Sequence, residues 1–200
     1  MLKNPIPKVN NKLQYRAIGI VNGKFVPNDN KKLTRGFLTD NDGEKIETVV
    51  LGKALSLLRK HIDFNKNYFW IVYPKNKNTQ NLHLQVAGIW DPYQLNDFSN
   101  DSSKTNFSKL LNEVDLKDNY FSVRGELVFV NTQKKEVVIK ICSASKLPNF
   151  KNKNFKLVLK GELSLELLNS FVSIDAIRHG NSLKLLEYEV IEKNLPKNFK

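Results

Sequence analysis

Cysteine is almost absent: Cys142 is the one thiol in 200 residues, so the chain has no internal disulfide and no zinc site built from cysteines. That usage suits a reducing compartment. His61, His83 and His179 are too scattered for an HxxxH pair, no two carboxylates stand out as an acid/base couple, and the glycines spell neither a phosphate-binding nor a dinucleotide-binding loop. Enzymatic chemistry has no motif to rest on, and no cofactor or metal is expected. No run approaches the roughly 20 apolar residues of a membrane-spanning helix. Met1 to Leu13 carries Pro5, Pro7, lysines and asparagines but lacks the apolar core of about 7 to 15 residues that a signal peptide needs. The expectation is a soluble cytoplasmic protein without a membrane partner.

Acidic charge is the other shortage. Lys and Arg number 32 against 20 Asp and Glu, for a net charge of +12 and a pI near 9.6. A surface of that sign draws phosphate backbones, so a nucleic acid is the expected partner, RNA ahead of DNA. The second source of such a balance is compositional, since the Lys and Asn richness expected of an AT-rich genome raises the pI unaided. The hydrophobic fraction of 40% is ample for one or two packed cores.

The chain reads as a module written twice. Tyr15-Arg16-Ala17-Ile18-Gly19 opens a strand-rich segment that closes with Leu82-His83-Leu84 near Trp90; Phe121-Ser122-Val123-Arg124-Gly125 opens another that closes with Leu183-Lys184-Leu185 near Ile191. Each copy is long enough for its own core, unlike solenoid repeats of about 20 to 50 residues. In the first copy, Asn22-Gly23 suits a type I′ turn, giving a hairpin or a sharply bent first strand. Leu33 to Thr39 and Lys45 to Leu51 flank Asp40-Asn41-Asp42-Gly43 as two further strands. From Lys53 to Ile62 the period becomes helical, with Leu55, Leu58 and Ile62 expected to plug a barrel end. Tyr68 to Tyr73 and Leu82 to Trp90 complete the set. The second copy repeats the order in Phe121 to Val130, Glu136 to Cys142, Phe155 to Lys160, a short helix at most over Ser164 to Asn169, Phe171 to Arg178 and Leu183 to Ile191.

The predicted organisation is a mobile basic arm over residues 1–13, barrels over 14–92 and 120–193, an acidic linker over 93–119 with a helix from Thr105 to Val114, and a tail over 194–200. Between Lys134 and Lys160 eight lysines meet one acidic residue, which marks strands two and three of the second copy as a cationic face. Arg124 points outward by strict alternation, Lys140 does so given a register shift, and Lys156 and Lys160 flank Phe155, Leu157 and Leu159. The rival reading is a solvated strand exterior guarded by edge lysines. Stacking platforms are the other need of a single-strand binder. Phe25 and Phe37, beside Lys24 and Arg35, are candidates; so are Tyr73 and the neighbouring Lys75. Alternation puts Phe69 with Tyr73 and Tyr68 with Trp70, one pair in a core. His83 faces outward, towards phosphate or solvent rather than a metal.

Three strands, a helix, then two strands is the order of the OB-fold, which both copies resemble. The segments Tyr15-Arg-Ala-Ile-Gly, Thr34-Arg35-Gly36 and Val50-Leu51-Gly52-Lys53 also resemble those of uncharacterised conserved cyanobacterial proteins. That resemblance implies two tandem five-stranded barrels in a mainly β protein and assigns no residue a role. The expected function is nucleic-acid binding, of single-stranded or structured RNA with little sequence readout. A protein-interaction scaffold built on barrel edges is the alternative.

Overall fold

The computed structural model describes residues 4–29, 31–77, 81–90, 112–143, 153–193 and 195. Among the described residues the main elements are, in order, β1 (Arg16–Pro27), β2 (Arg35–Thr39), β3 (Lys45–Val50), α1 (Lys53–His61), β4 (Tyr68–Lys77), β5 (Asn81–Trp90), β6 (Tyr120–Asn131), β7 (Glu136–Ser143), β8 (Lys153–Lys160), β9 (Phe171–His179) and β10 (Ser182–Glu192). Sheet order β2-β3-β5-β4-β1 is closed by a β2–β1 pairing, and β6-β7-β8-β10-β9 by a β6–β9 pairing. Each half is therefore a five-stranded barrel of OB topology, with α1 between its third and fourth strands. In the second barrel that place holds a single turn of 3-10 helix, Leu165–Leu167, where the Ser164 hydroxyl accepts the Glu166 N–H.

Alternation along the strands explains the interiors. In β3 every second residue, Ile46, Thr48 and Val50, is buried, and in β7 and β8 Val137, Ile139, Leu157 and Leu159 are fully buried. α1 turns Ala54 and Leu58 into the first barrel, while Leu55 and Ile62 are partly buried against the same core. On β4, Trp70 points inward, is 0% exposed and donates its indole N–H to the carbonyl of Gly23 at 2.8 Å. Phe69 faces the other way and is still buried, against Trp90, Ile20 and Val114.

The barrels are fused rather than merely linked. β1 pairs antiparallel with β6 from Arg16 opposite Arg124 to Gly19 opposite Phe121. Of the two alternatives for Asn22-Gly23 the hairpin is excluded: β1 continues through it as one strand, pairs with β4 as far as Gly23 and changes partner to β2 from Lys24 onward. Glycine is needed there because a Cβ on Gly23 would lie 2.3 Å from the Thr39 carbonyl oxygen. Gly19 is needed for the fusion itself, since its Cβ would sit 2.3 Å from the Phe121 ring.

Polar groups fill the rest of the seam. Arg178 and Asp40, both buried, form an ion pair across it, and Arg178 also donates from Nε to Asn119 Oδ1 at 2.8 Å and from its other terminal nitrogen to the Gly180 carbonyl at 3.0 Å. Asp118 Oδ1 accepts the backbone N–H groups of Asn22 and Asn119, each at 2.7 Å. Arg16 donates to Ser122 Oγ at 2.6 Å. Residues 4–13, expected as a mobile arm, make contacts of their own: Ile6 is buried, Asn4 donates to the Val114 carbonyl at 3.3 Å, and Arg124 donates to that of Lys12 at 2.7 Å. Of the expected Thr105 to Val114 helix, residues 105–111 lie outside the described residues, as does the tail except Leu195, whose N–H meets the Asn169 carbonyl at 2.9 Å.

Two stability measurements test this seam and core. Trp70→Ala should cost about 3 to 5 kcal/mol in urea unfolding through the cavity it leaves; a variant that unfolds like the parent would remove Trp70 from the core. Burial raises the pKa of Asp118 above its ordinary 3.8, so the folded state holds that proton more tightly and stability falls as pH climbs from the ordinary value through the raised one. Asp118→Asn keeps the acceptor for both amides. It should flatten that pH dependence and be at least as stable as the parent at neutral pH.

Candidate nucleic-acid interface

One surface combines unpaired cations with an exposed aromatic ring. On the outer face of β1, β2 and β3, Val26 lies opposite Phe37 and Phe37 opposite Glu47; Lys24 lies opposite Thr39 and Thr39 opposite Lys45. Phe37 is 39% exposed and Val26 49%. Lys24, Arg35 and Lys45 are exposed, and none of the three belongs to an ion pair among the described residues. β1 and β2 approach closely at Gly36, where a Cβ would lie 2.3 Å from the Val26 carbonyl oxygen. Phe25 does not join this face. It is 1% exposed and packs on Trp70 with ring centroids 6.0 Å apart, because the alternation that turns Lys24 and Val26 outward turns Phe25 in. Sequence reading missed Val26 and Lys45, whose place is set by cross-strand register.

A second group lies on β4 and β5. Tyr73 is 41% exposed, and Lys75 sits opposite the half-buried His83. Lys75 reaches to the second barrel and places Nζ 3.3 Å from the Phe155 ring centroid, a cation–π contact. Its burial there lowers its pKa.

Of the eight lysines of the cationic face expected on the second barrel, three are ion-paired, Lys134 is exposed, and Lys146 and Lys151 lie outside the described residues. Lys140 pairs with Glu126 at 2.8 Å, Lys135 with Glu162 at 2.6 Å, and Lys160 with Glu136. The hydrogen bond to Glu126 raises the Lys140 pKa. Two of these three carboxylates lie outside the stretch from Lys134 to Lys160, so counting along the sequence misses them. β7 alternates without the expected shift; the irregularity falls in β6, between Leu127 and Phe129. Lys156 stays exposed, opposite Lys140. Arg124 is 6% exposed, because the outward side of β6 is covered where β1 and residues 12–14 pack on it. Its guanidinium is held by the carbonyls of Lys12 and Gln14, a structural task.

Among the described residues no group of three His, Cys, Asp or Glu is placed to hold a metal ion, and no helix is long and apolar enough to cross a membrane. Residues 17–97 match the family model of the PatR RNA-binding protein, N-terminal OB-fold domain. Residues 123–192 match that of the cyanobacterial OB-fold-like RNA-binding domain, C-terminal. The chain belongs to this tandem OB-fold family. Comparison with curated proteins finds no match. Both domain families are RNA-binding, which makes nucleic-acid binding the function of the pair.

The two phenylalanines of the first barrel separate packing from recognition. Phe25→Ala should cost about 3 to 5 kcal/mol of stability. Phe37→Ala should leave the melting temperature nearly unchanged and weaken single-strand binding by about 1 to 3 kcal/mol if a base stacks on it. Equal effects on folding from both variants would deny Phe37 its role.

Proposed function

We propose that the protein binds single-stranded or structured RNA with little sequence readout, and that the strand lies over the outer face of β1, β2 and β3 in the first barrel. The observation that carries this reading is the exposed Phe37 set among Lys24, Arg35 and Lys45, three cations without a carboxylate partner among the described residues. Phosphates are neutralised by the cations while a base stacks on the ring, and neither contact reads base identity. Tyr73, Lys75, His83 and Lys156 extend the surface. The proposed action is binding without catalysis, in the cytoplasm, where a lone free thiol such as Cys142 is at home. A second reading, docking of another protein, is favoured by Leu186 and Tyr188, 44% and 47% exposed on β10.

A salt series with single-stranded RNA, single-stranded DNA and duplex tests the proposal. The logarithm of the affinity should fall with that of salt concentration by roughly 0.7 per phosphate neutralised on a single strand. Lys24→Gln with Arg35→Gln should reduce the slope by about 1.4 without lowering the melting temperature much, since exposed charges contribute little to folding. Lys140→Gln with Lys160→Gln should change the slope far less, because both lysines already have carboxylate partners. Binding that ignores salt would favour the protein-docking reading. No binding at low salt would end the RNA reading.

A further inference from the structure

Where the barrels meet, away from the outer face of β1, β2 and β3, they line an open polar cavity of about 330 Å³. Asn76, Asn81 and Leu82 come to it from β4 and β5; Val158, Lys160 and Asn181 come from the second barrel, with Glu136 beside them. Neither barrel alone forms it. Its wall is held in register by Asn76, whose Oδ1 accepts the Val158 N–H at 3.0 Å, and by the Lys75 ammonium over Phe155 one residue earlier.

The lining selects a class of ligand. Among the described lining residues Lys160 is the one cation and is paired with Glu136, so these residues offer no net charge to a phosphate or a metal ion. Three side-chain amides supply donors and acceptors together, while Leu82 and Val158 add apolar surface. That combination suits a neutral, planar group edged with hydrogen-bonding atoms, and amides are the side chains that pair with base edges. The volume lies at the lower end of the range for small-ligand sites, about 300 to 1,000 Å³, and has room for a single base.

We infer that the cavity between the barrels is a second RNA contact, which takes one unstacked nucleobase of the bound strand and holds its edge with Asn76, Asn81 and Asn181. This rests on the RNA reading above, and it adds a point of base contact to a surface that otherwise grips only backbone and ring faces. Lys75 and Lys156, near the same seam, carry the flanking phosphates.

The test uses the full chain and two probes. Adenosine, cytidine, guanosine and uridine, titrated to millimolar concentration, should shift the side-chain amide resonances of Asn81 and Asn181, and inorganic phosphate should not. The Asn81→Ala, Asn181→Ala double variant changes two exposed residues, so its melting temperature should match the parent's. It should bind single-stranded RNA about tenfold more weakly with an unchanged salt slope, while Lys24→Gln with Arg35→Gln should leave the nucleoside shifts intact. Unmoved amide resonances, equal shifts from phosphate, or undiminished RNA affinity in the double variant would overturn the inference. Nucleoside shifts in a protein that binds no RNA at any salt concentration would overturn the RNA reading, and with it the strand-borne form of this site.

Discussion

The antiparallel pairing of β1 with β6 is the constraint on which the rest of the molecule depends. Its register runs through Ala17 opposite Val123, with Arg16 opposite Arg124 and Ile18 opposite Ser122. Matching the copies by their shared opening, Gly19 to Gly125, makes Ala17 equivalent to Val123, Arg16 to Ser122 and Ile18 to Arg124. The Arg16–Arg124 pair then maps onto the Ile18–Ser122 pair, and Ala17–Val123 maps onto itself. The strands meet as they would across a two-fold axis, the isologous geometry of a symmetric dimer, here within one chain. Because β1 also closes the first barrel through β4 and β2, and β6 the second through β9 and β7, neither barrel can shift against the other without breaking its own closure.

That constraint sets which polar groups must be buried. β1 is covered on both sides along Ala17 to Gly23, and the charged groups at the seam have to find partners there or be expelled. Arg178 finds Asp40, Asn119 and Gly180; Arg124 finds two backbone carbonyls; Asp118 finds two backbone amides. A buried ion pair is a poor source of net stability, but losing one partner strands the other charge. The network therefore fixes the relative placement of the barrels more than it strengthens either, and that placement forms the cavity between them.

The barrels were legible in the sequence because strands such as β2, β3, β5 and β9 alternate and turns use residues with a geometric reason to be there. Asp40 to Gly43 is such a turn: Asp40 Oδ1 receives the N–H groups of Asp42 and Glu44, and Gly43 takes a positive φ of 80°. Asn22-Gly23 misled because its glycine answers to the approach of Thr39, a residue 16 positions on, and not to a local turn. Side-chain faces were legible only where one side of a strand meets solvent. Lys24, Arg35 and Phe37 satisfied that condition. Arg124 did not, since its outward side meets β1, and no pattern local to β6 announces that partner.

Duplication with fusion also accounts for the unequal chemistry of the two barrels. A pair that shares one seam need not present two equal surfaces, and here Lys135, Lys140 and Lys160 of the second barrel are tied to Glu162, Glu126 and Glu136, while on the first Lys24, Arg35 and Lys45 have no carboxylate partner among the described residues and stand around an exposed ring. The net charge of the whole remains +12. In the RNA reading proposed above, a strand drawn in by that long-range field meets unpaired cations on the first barrel and at the seam beside Lys75. In the same reading the second barrel anchors β1 through β6 and supplies Val158, Lys160 and Asn181 to the far wall of the cavity.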